Sequence, residues 1–328
     1  MLWIRIKSRL LLSYRKFMLR SGFKKWMLRN RYGERILVFH GVDSVGETRY
    51  NSRFFSKEYF ETFIQYITEH YNVIPLDDFY QKKFKPNTLN IALTFDDGYL
   101  NNYEYVVPIL KKHNVPACFY ITTIHEKTSY LFPDFIDLVE FHSPKKELVF
   151  ERNVYQRSSR NEFVWNGVSL KNIAKALPYE VLELLYKSLQ QDWLNLKPES
   201  LAEYWKLMKP KQIKEIADDP LFTIGAHGET HASLIDIPIE RAKAEILNSK
   251  QSLETICKQS IDEFAFPFGF YTKELADYCL EIGYKKVLLV DYNTISDKKQ
   301  EALQNRFVMN PYISMDLQLV CLLQNSYY

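Results

Sequence analysis

Apolar and polar residues follow two different periods along this chain. Short apolar runs at 35–42, 89–95 and 115–122 have the length and composition of β-strands, and the last two are apolar enough to be buried on both faces. Between them, residues 56–71 carry apolar side chains at helical spacing, and Ser56 is placed to cap that helix. This alternation of strand and helix predicts a parallel sheet covered by helices.

The same alternation returns after residue 220. Strands are predicted at 222–227 and 284–290, with helices at 238–259 and 272–283. Residues 125–220 break this rhythm, because they carry helical patterns and few buried strands. We interpret about 125–220 as a mainly helical insertion, in the position of a cap over the site, within a domain of residues 34–328.

The first 33 residues differ in charge from the rest of the chain. They contain ten Lys and Arg residues and no acidic residue, whereas the whole chain of 328 residues has a net charge of +3. The segment lacks the apolar core and cleavage site of a secretory signal, and no later segment has the length and hydropathy of a membrane span. Two interpretations stay open: the segment lies on an anionic membrane surface, or it packs its Trp and Leu residues on its own domain. Nucleic-acid binding is not expected, because no motif for it follows.

The four cysteines are scattered and none forms a C-x-x-C pair. This pattern gives no zinc ribbon and no small disulfide framework. We expect buried thiols, and nothing here demands an oxidising compartment.

Two neighbouring aspartates, Asp96 and Asp97, directly follow the apolar run 89–95. Two like charges at the end of a buried strand cost free energy unless one is neutralised, and a bound cation would do this. His227 and His231 also follow a predicted strand, and their spacing allows both imidazoles to share a metal. Since the carboxyl ends of parallel strands face a common mouth, one aspartate and two histidines would form a facial metal site with open positions.

Three segments, TFDDGY (94–99), HGETH (227–231) and FAFPFG (264–269), resemble in this order the motifs of NodB-homology polysaccharide deacetylases, carbohydrate esterase family four. The resemblance runs from about residue 35 to residue 306, and the motif order is most similar to that of the poly-N-acetylglucosamine deacetylase branch. It implies a distorted (β/α) barrel. It also implies hydrolysis of N-acetyl or O-acetyl groups of amino sugars with a divalent metal, usually zinc, with nickel, cobalt or iron as alternatives.

The resemblance assigns roles to individual residues. Asp96 matches the general base, and the metal ligands match Asp97, His227 and His231. The backbone N–H of Phe268, which follows the proline of the third motif, is expected to hold the tetrahedral oxyanion.

The chain departs from the common family pattern in two places. No histidine follows His231, so His40, at the end of the first predicted strand, is assigned as general acid, as in the poly-N-acetylglucosamine branch. Ala265 stands where other deacetylases carry the arginine that orients the base. Arg306, near a late predicted strand, is a weak substitute for that arginine.

The resemblance therefore predicts a hydrolase of an acetylated polysaccharide or glycan precursor. A glycosidase is disfavoured, because neighbouring side chains on one strand point to opposite faces whereas a glycosidase pair flanks one bond. A catalytically inactive carbohydrate-binding protein on the same fold stays as the alternative. We expect a cytoplasmic enzyme. Peripheral contact of residues 1–33 with the inner membrane surface is one of the two interpretations that stay open for this segment.

Overall fold

The computed structural model describes residues 2–28 and 32–327, so Met1 and residues 29–31 of the predicted N-terminal segment lie outside it. The strands are β1 Gly33–Phe39, β2 Val42–Asp43, β3 Phe55–Ser56, β4 Asn72–Val73, β5 Leu89–Phe95, β6 Ala117–Ile121, β7 Glu147–Phe150, β8 Asn153–Arg157, β9 Phe163–Trp165, β10 Val168–Ser169, β11 Phe222–Ala226, β12 Glu263–Ala265, β13 Lys286–Leu289, β14 Leu303–Asn305 and β15 Phe307–Val308. The α-helices are α1 Leu2–Met18, α2 Lys24–Met27, α3 Lys57–His70, α4 Leu76–Tyr80, α5 Val107–Lys112, α6 Phe132–His142, α7 Leu170–Ala174, α8 Tyr179–Ser188, α9 Gln190–Asn195, α10 Pro210–Ala217, α11 Ile239–Cys257, α12 Lys273–Glu281 and α13 Met315–Gln324.

The main sheet is a parallel, nearly closed barrel. Its strands run in the order β14, β13, β12, β11, β6, β5, β1 and β15, and β4 pairs with β5. The two end strands, β14 and β15, are separated in sequence by Arg306 alone, so one short stretch of chain supplies both edges. Helices surround the strands, and the distorted (β/α) barrel implied by the family resemblance is confirmed.

The register of the strands sorts their residues into two sets. Val38 pairs with Thr94, Thr94 with Cys118, and Cys118 with Thr223 across four neighbouring strands. Alternate residues such as Tyr120 and Ala265 cluster inside the barrel, while the residues between them pack against the helices. Every residue of β5 is buried for this reason, because both faces of the strand are covered.

Most predicted elements have counterparts in the structure. The helix predicted at 56–71 is α3, and the Ser56 hydroxyl caps it by accepting a hydrogen bond from the Tyr59 N–H at 3.1 Å. The short strand β4 is followed by the helix α4. None of the described helices has the length and hydropathy needed to cross a membrane. The four cysteines are free and buried.

Residues 125–220 contain more than helices. Besides α6 to α10, they form a four-stranded antiparallel sheet in the order β10, β9, β8, β7, which the sequence pattern did not predict. Apart from α10, these elements have a separate apolar cluster, which reaches the barrel through Phe54, Tyr99 and Phe268. The insertion is therefore packed over the carboxyl ends of the barrel strands, where the candidate site lies.

Candidate functional site

The alternation inside the barrel explains which side chains meet at its mouth. His40 lies two residues beyond Val38, Asp96 two beyond Thr94, and His227 two beyond Gly225, so all three continue inward-facing positions. Together with Asp97 and Arg306 they line one cavity of about 340 Å³. The strands thus bring together residues that are far apart in sequence, as predicted from their positions at strand ends.

Three ligand atoms converge in this cavity. The Nε2 atoms of His227 and His231 lie 3.3 and 3.0 Å from Oδ1 of Asp97, and the ligand atoms of the three residues all lie within 4.8 Å of one another. Asp97 Oδ1 is buried and has no hydrogen-bond partner among the described residues. A buried carboxylate oxygen aimed, with two imidazole nitrogens, at one point fits a divalent cation, so the donor set suits the metal that the family resemblance implies.

The local backbone orients His227 and His231 for binding a metal. His227 Nδ1 lies 2.8 Å from the Ala265 carbonyl oxygen, to which it donates, so its Nε2 lone pair is left for a ligand. His231 has a left-handed backbone, with φ of 60°, which turns its ring back toward His227.

Glu245 on α11 holds the turn between the two histidines. Its Oε2 accepts hydrogen bonds from the backbone N–H groups of Glu229 at 3.0 Å and Thr230 at 2.7 Å, and its Oε1 accepts from the Thr230 hydroxyl at 2.5 Å. Sequence reasoning missed Glu245. A signal was present in the spacing, because Glu245 lies three residues after Ala242 and eight before Leu253, both of which are buried on α11.

A second network orients Asp97. Arg53 Nη1 donates to Asp97 Oδ2 at 2.8 Å, and Arg53 Nη2 donates to Asp134 Oδ1 at 2.6 Å. The Tyr99 hydroxyl and Asn51 also donate to Asp134. Burial opposes ionisation of Asp97, but Arg53 and His231 outweigh it and hold the pKa of Asp97 well below its usual range. Burial raises the pKa of Asp134 to about 7 in spite of Arg53.

Asp96 is held by Arg306 in a bidentate ion pair. Arg306 Nη1 and Nη2 donate to Asp96 Oδ1 and Oδ2 at 2.7 and 2.8 Å, and both residues are buried. Arg306 also lies over the Tyr120 ring, at 5.2 Å from its centroid. Burial alone would raise the pKa of Asp96, but Arg306 and His227 outweigh it and lower that pKa. The arginine missing from the third motif is thus replaced by one between β14 and β15.

His40 lies on the cavity wall without a fixed partner. No described residue hydrogen-bonds its imidazole, which leaves both ring nitrogens for substrate or water. Burial lowers the pKa of His40 to about 4, an effect that Asp97 only partly offsets. The imidazole is therefore neutral at neutral pH until a nearby negative charge stabilises its protonated form.

Phe268 forms another part of the wall. Its backbone is left-handed, with φ of 60°, directly after Pro267, and its ring centroid lies 4.7 Å from that of His231. The cavity position agrees with a role next to the reacting group. The expected donation from the Phe268 N–H to an oxyanion stays a prediction.

The insertion supplies the opposite wall, which sequence reasoning did not resolve. Pro133, Asp137, Lys171 and Lys175 line the same cavity. Lys171 Nζ pairs with both carboxylate oxygens of Asp137 at 2.6 and 2.8 Å. Lys175 Nζ instead lies 4.7 Å from the centroid of the Phe268 ring and pairs with no carboxylate of the described chain. The ammonium group of Lys175 is therefore available to bind a ligand.

Comparisons with known proteins identify the family and the fold of this chain. A family model described as polysaccharide deacetylase matches residues 83–287. Among solved structures, the fold is similar to the Streptococcus pyogenes deacetylase PplD in complex with acetate, at 17% identity over 88% of this chain and 96% of that chain, with a TM-score of 0.55. It is also similar to IcaB from Ammonifex degensii, at 16% identity over 89% and 97% of the two chains, with a TM-score of 0.55.

A de-N-acetylase from Aggregatibacter actinomycetemcomitans has the same fold, at 15% identity over 88% of this chain and 98% of that chain, with a TM-score of 0.52. At these identities the likenesses show the fold alone. A search of curated proteins finds no match. The family assignment therefore rests on the match over residues 83–287.

Proposed function

Because this chain belongs to the polysaccharide deacetylase family, and so to the deacetylases among the hydrolases, we propose that it removes the N-acetyl group of an amino sugar with the help of a divalent metal. The observation that carries the proposal is the convergence of Asp97, His227 and His231 beside the Arg306-bound Asp96 in one cavity. The substrate is an acetylated polysaccharide or glycan precursor.

Asp97, His227 and His231 would hold the metal, with zinc as the first choice. When bound, a metal of this kind polarises the acetyl carbonyl and makes water more acidic. Arg53 keeps Asp97 ionised, and the Ala265 carbonyl keeps His227 in the tautomer with a free Nε2. These two contacts prepare the ligands before the metal arrives.

Asp96 acts as the general base. The attacking water forms a bond from its oxygen to the acetyl carbon, and its proton passes to the Asp96 carboxylate. Arg306 holds both oxygens of that carboxylate, so Asp96 stays ionised and fixed in direction. The same two hydrogen bonds keep Asp96 away from the metal ligands, which gives the neighbouring aspartates different roles.

His40 acts as the general acid that completes the reaction. The tetrahedral oxyanion, stabilised in part by the Phe268 N–H, favours the protonated form of a neighbouring imidazole. His40, protonated from solvent as the oxyanion forms, gives this proton to the sugar nitrogen while the carbon–nitrogen bond breaks, and the acetyl group leaves as acetic acid, which ionises to acetate. The proton held by Asp96 returns to solvent, which restores the base. The products are one free amine and one acetate for each water consumed.

The test is acetate release from N-acetylglucosamine oligomers of different linkage, with the holoenzyme, with chelated enzyme and after metal is added back. We expect release to be lost on chelation and restored by zinc. Asp96→Asn should abolish release while the metal content stays that of the wild type. Release that survives both treatments would refute the mechanism. Binding of the oligomers without release under all conditions would favour the inactive carbohydrate-binding alternative.

A further inference from the structure

Helix α1 is fixed on the domain by one of its faces. Arg15 is only 4% exposed, and its Nη1 donates hydrogen bonds to Cys321 Sγ at 3.3 Å and to the Ser326 carbonyl oxygen at 2.9 Å. Leu12, and Leu19 directly after the end of α1, lie on the same side as Arg15 and pack against the main core. These contacts with α13 and the residues that follow it set the rotation of α1 about its axis.

The opposite face carries large apolar side chains in solvent. Leu10, Tyr14 and Phe17 are 67%, 57% and 65% exposed, and their spacing of four and three residues places them in one stripe. Phe23 and Trp26, at 48% and 65% exposure, follow beyond the end of α1 and beyond Gly22, whose left-handed backbone interrupts the helix. We call these five residues the N-terminal apolar face. The face holds a concentration of exposed apolar surface that single scattered residues do not explain.

The surroundings of this face are basic. Lys16 and Arg20 are exposed beside it, and residues 1–33 contain ten basic and no acidic residues. The rest of the chain is net acidic, since the whole has a charge of only +3. The combination of an apolar stripe and a one-sided positive charge is that of a helix lying in the interface of an anionic bilayer.

We propose that the N-terminal apolar face binds anionic phospholipid bilayers and places the protein on their surface. Leu10, Phe17 and Trp26 enter the boundary between headgroups and acyl chains, and the basic residues contact lipid phosphates. A second copy of the chain is a poorer occupant, because two such segments would bring twenty positive charges together with no acidic partner among them. Because the inward face is already bound to α13, the helix does not have to leave the domain to reach the lipid.

The test is co-sedimentation of the full chain with vesicles of phosphatidylcholine alone or with phosphatidylglycerol added. We expect binding to the anionic vesicles that weakens as salt is raised. The double variant Phe17→Ser with Trp26→Ser should lose at least about tenfold in partitioning, since two large side chains no longer leave water. The matched control is Val149→Ser with Ile295→Ser, which removes two apolar side chains that are 62% and 81% exposed elsewhere.

Circular dichroism checks that every variant is folded, and acetate release from a soluble oligomer should be the same for all of them. Equal sedimentation of the double variant and the wild type would overturn the proposal. So would the absence of binding to anionic vesicles, or a dimer in light scattering that the double variant abolishes. The last result would assign the face to a second copy.

Discussion

The two walls of the cavity are built differently. On the barrel wall, Asp96 and Arg306 are buried and joined by hydrogen bonds of 2.7 and 2.8 Å. On the insertion wall, Lys171 and Lys175 are half-buried, and Lys175 faces an aromatic ring instead of a carboxylate. The barrel wall is fixed before a substrate arrives, whereas the insertion wall keeps a charge available. We infer that the barrel carries the chemistry and the insertion selects the glycan.

The difference between the two walls is tested most strongly by replacing Arg306 of the barrel wall. Arg306→Met should lower the rate of acetate release by at least about 100-fold, because Asp96 is left buried without its charge partner and becomes a poor base. Arg306→Lys keeps the charge but not the two parallel hydrogen bonds, so an intermediate rate is expected. Steady-state kinetics with the holoenzyme measures both. Wild-type rates in a folded Arg306→Met variant would show that Asp96 does not depend on it.

Replacing Glu245, which holds the turn between His227 and His231, should have the next largest effect, a loss of metal affinity. Glu245→Ala leaves the Thr230 and Glu229 N–H groups without their acceptor, and metal affinity should fall by about 10–100-fold. Metal titration with a competing chelator measures the change. Glu240→Ala, on the exposed side of the same helix, is the matched control and should leave the affinity unchanged. Unchanged affinity in both variants would limit Glu245 to a structural role.

Replacing Lys175 of the insertion wall should have a smaller effect, on KM and not on kcat. Lys175→Met should raise KM for the oligomer by roughly 3–10-fold and leave kcat unchanged, because one polar or cation contact of a half-buried lysine is worth about 1 kcal/mol. The control is Lys187→Met, an exposed lysine of the insertion outside the cavity. A fall in kcat without a change in KM would place Lys175 with the chemistry and erase the distinction between the walls.

The smallest expected effect is on the thermal stability of the protein and concerns Glu263, a buried residue of β12. Burial raises the pKa of Glu263 to about 7 from an ordinary 4.5, and Tyr120 and Tyr80 donate to its carboxylate. The folded chain therefore binds this proton more tightly than the unfolded chain, so the contribution of Glu263 is fully present below pH 4.5 and is lost as pH rises through 7. Glu263→Gln should raise Tm by about 3 °C at pH 8 and leave it unchanged at pH 4. Equal shifts at both pH values would contradict this titration.

Strand ends were the part of the site that the sequence could predict. His40, Asp96 and His227 each continue an inward-facing set of residues, so a strand pattern and a parallel sheet are enough to bring them together. Strand alternation alone would point the side chains of Asp96 and Asp97 to opposite faces. Asp97 lines the cavity as well, because β5 ends at Phe95 and Asp97 has a φ of 77°. A residue in that conformation cannot be identified from periodicity.

The other parts depend on long-range packing. Arg306 reaches Asp96 only because β14 and β15 close the barrel at that residue, and Arg53 reaches Asp97 from a loop. The sheet β7 to β10 was missed because its strands are short and carry exposed residues such as Val149 and Val154. The predicted extent of the insertion and the cytoplasmic location stay predictions.

The central claim is that one divalent metal is held by Asp97, His227 and His231. Its most direct test is the metal content of the purified protein by mass spectrometry, with the wild type measured beside His227→Ala and beside Asp96→Asn. We expect about one metal ion per chain in the wild type and in Asp96→Asn, and loss of that metal in His227→Ala. Folded wild-type protein that holds no metal after reconstitution, or His227→Ala with full occupancy, would contradict the account.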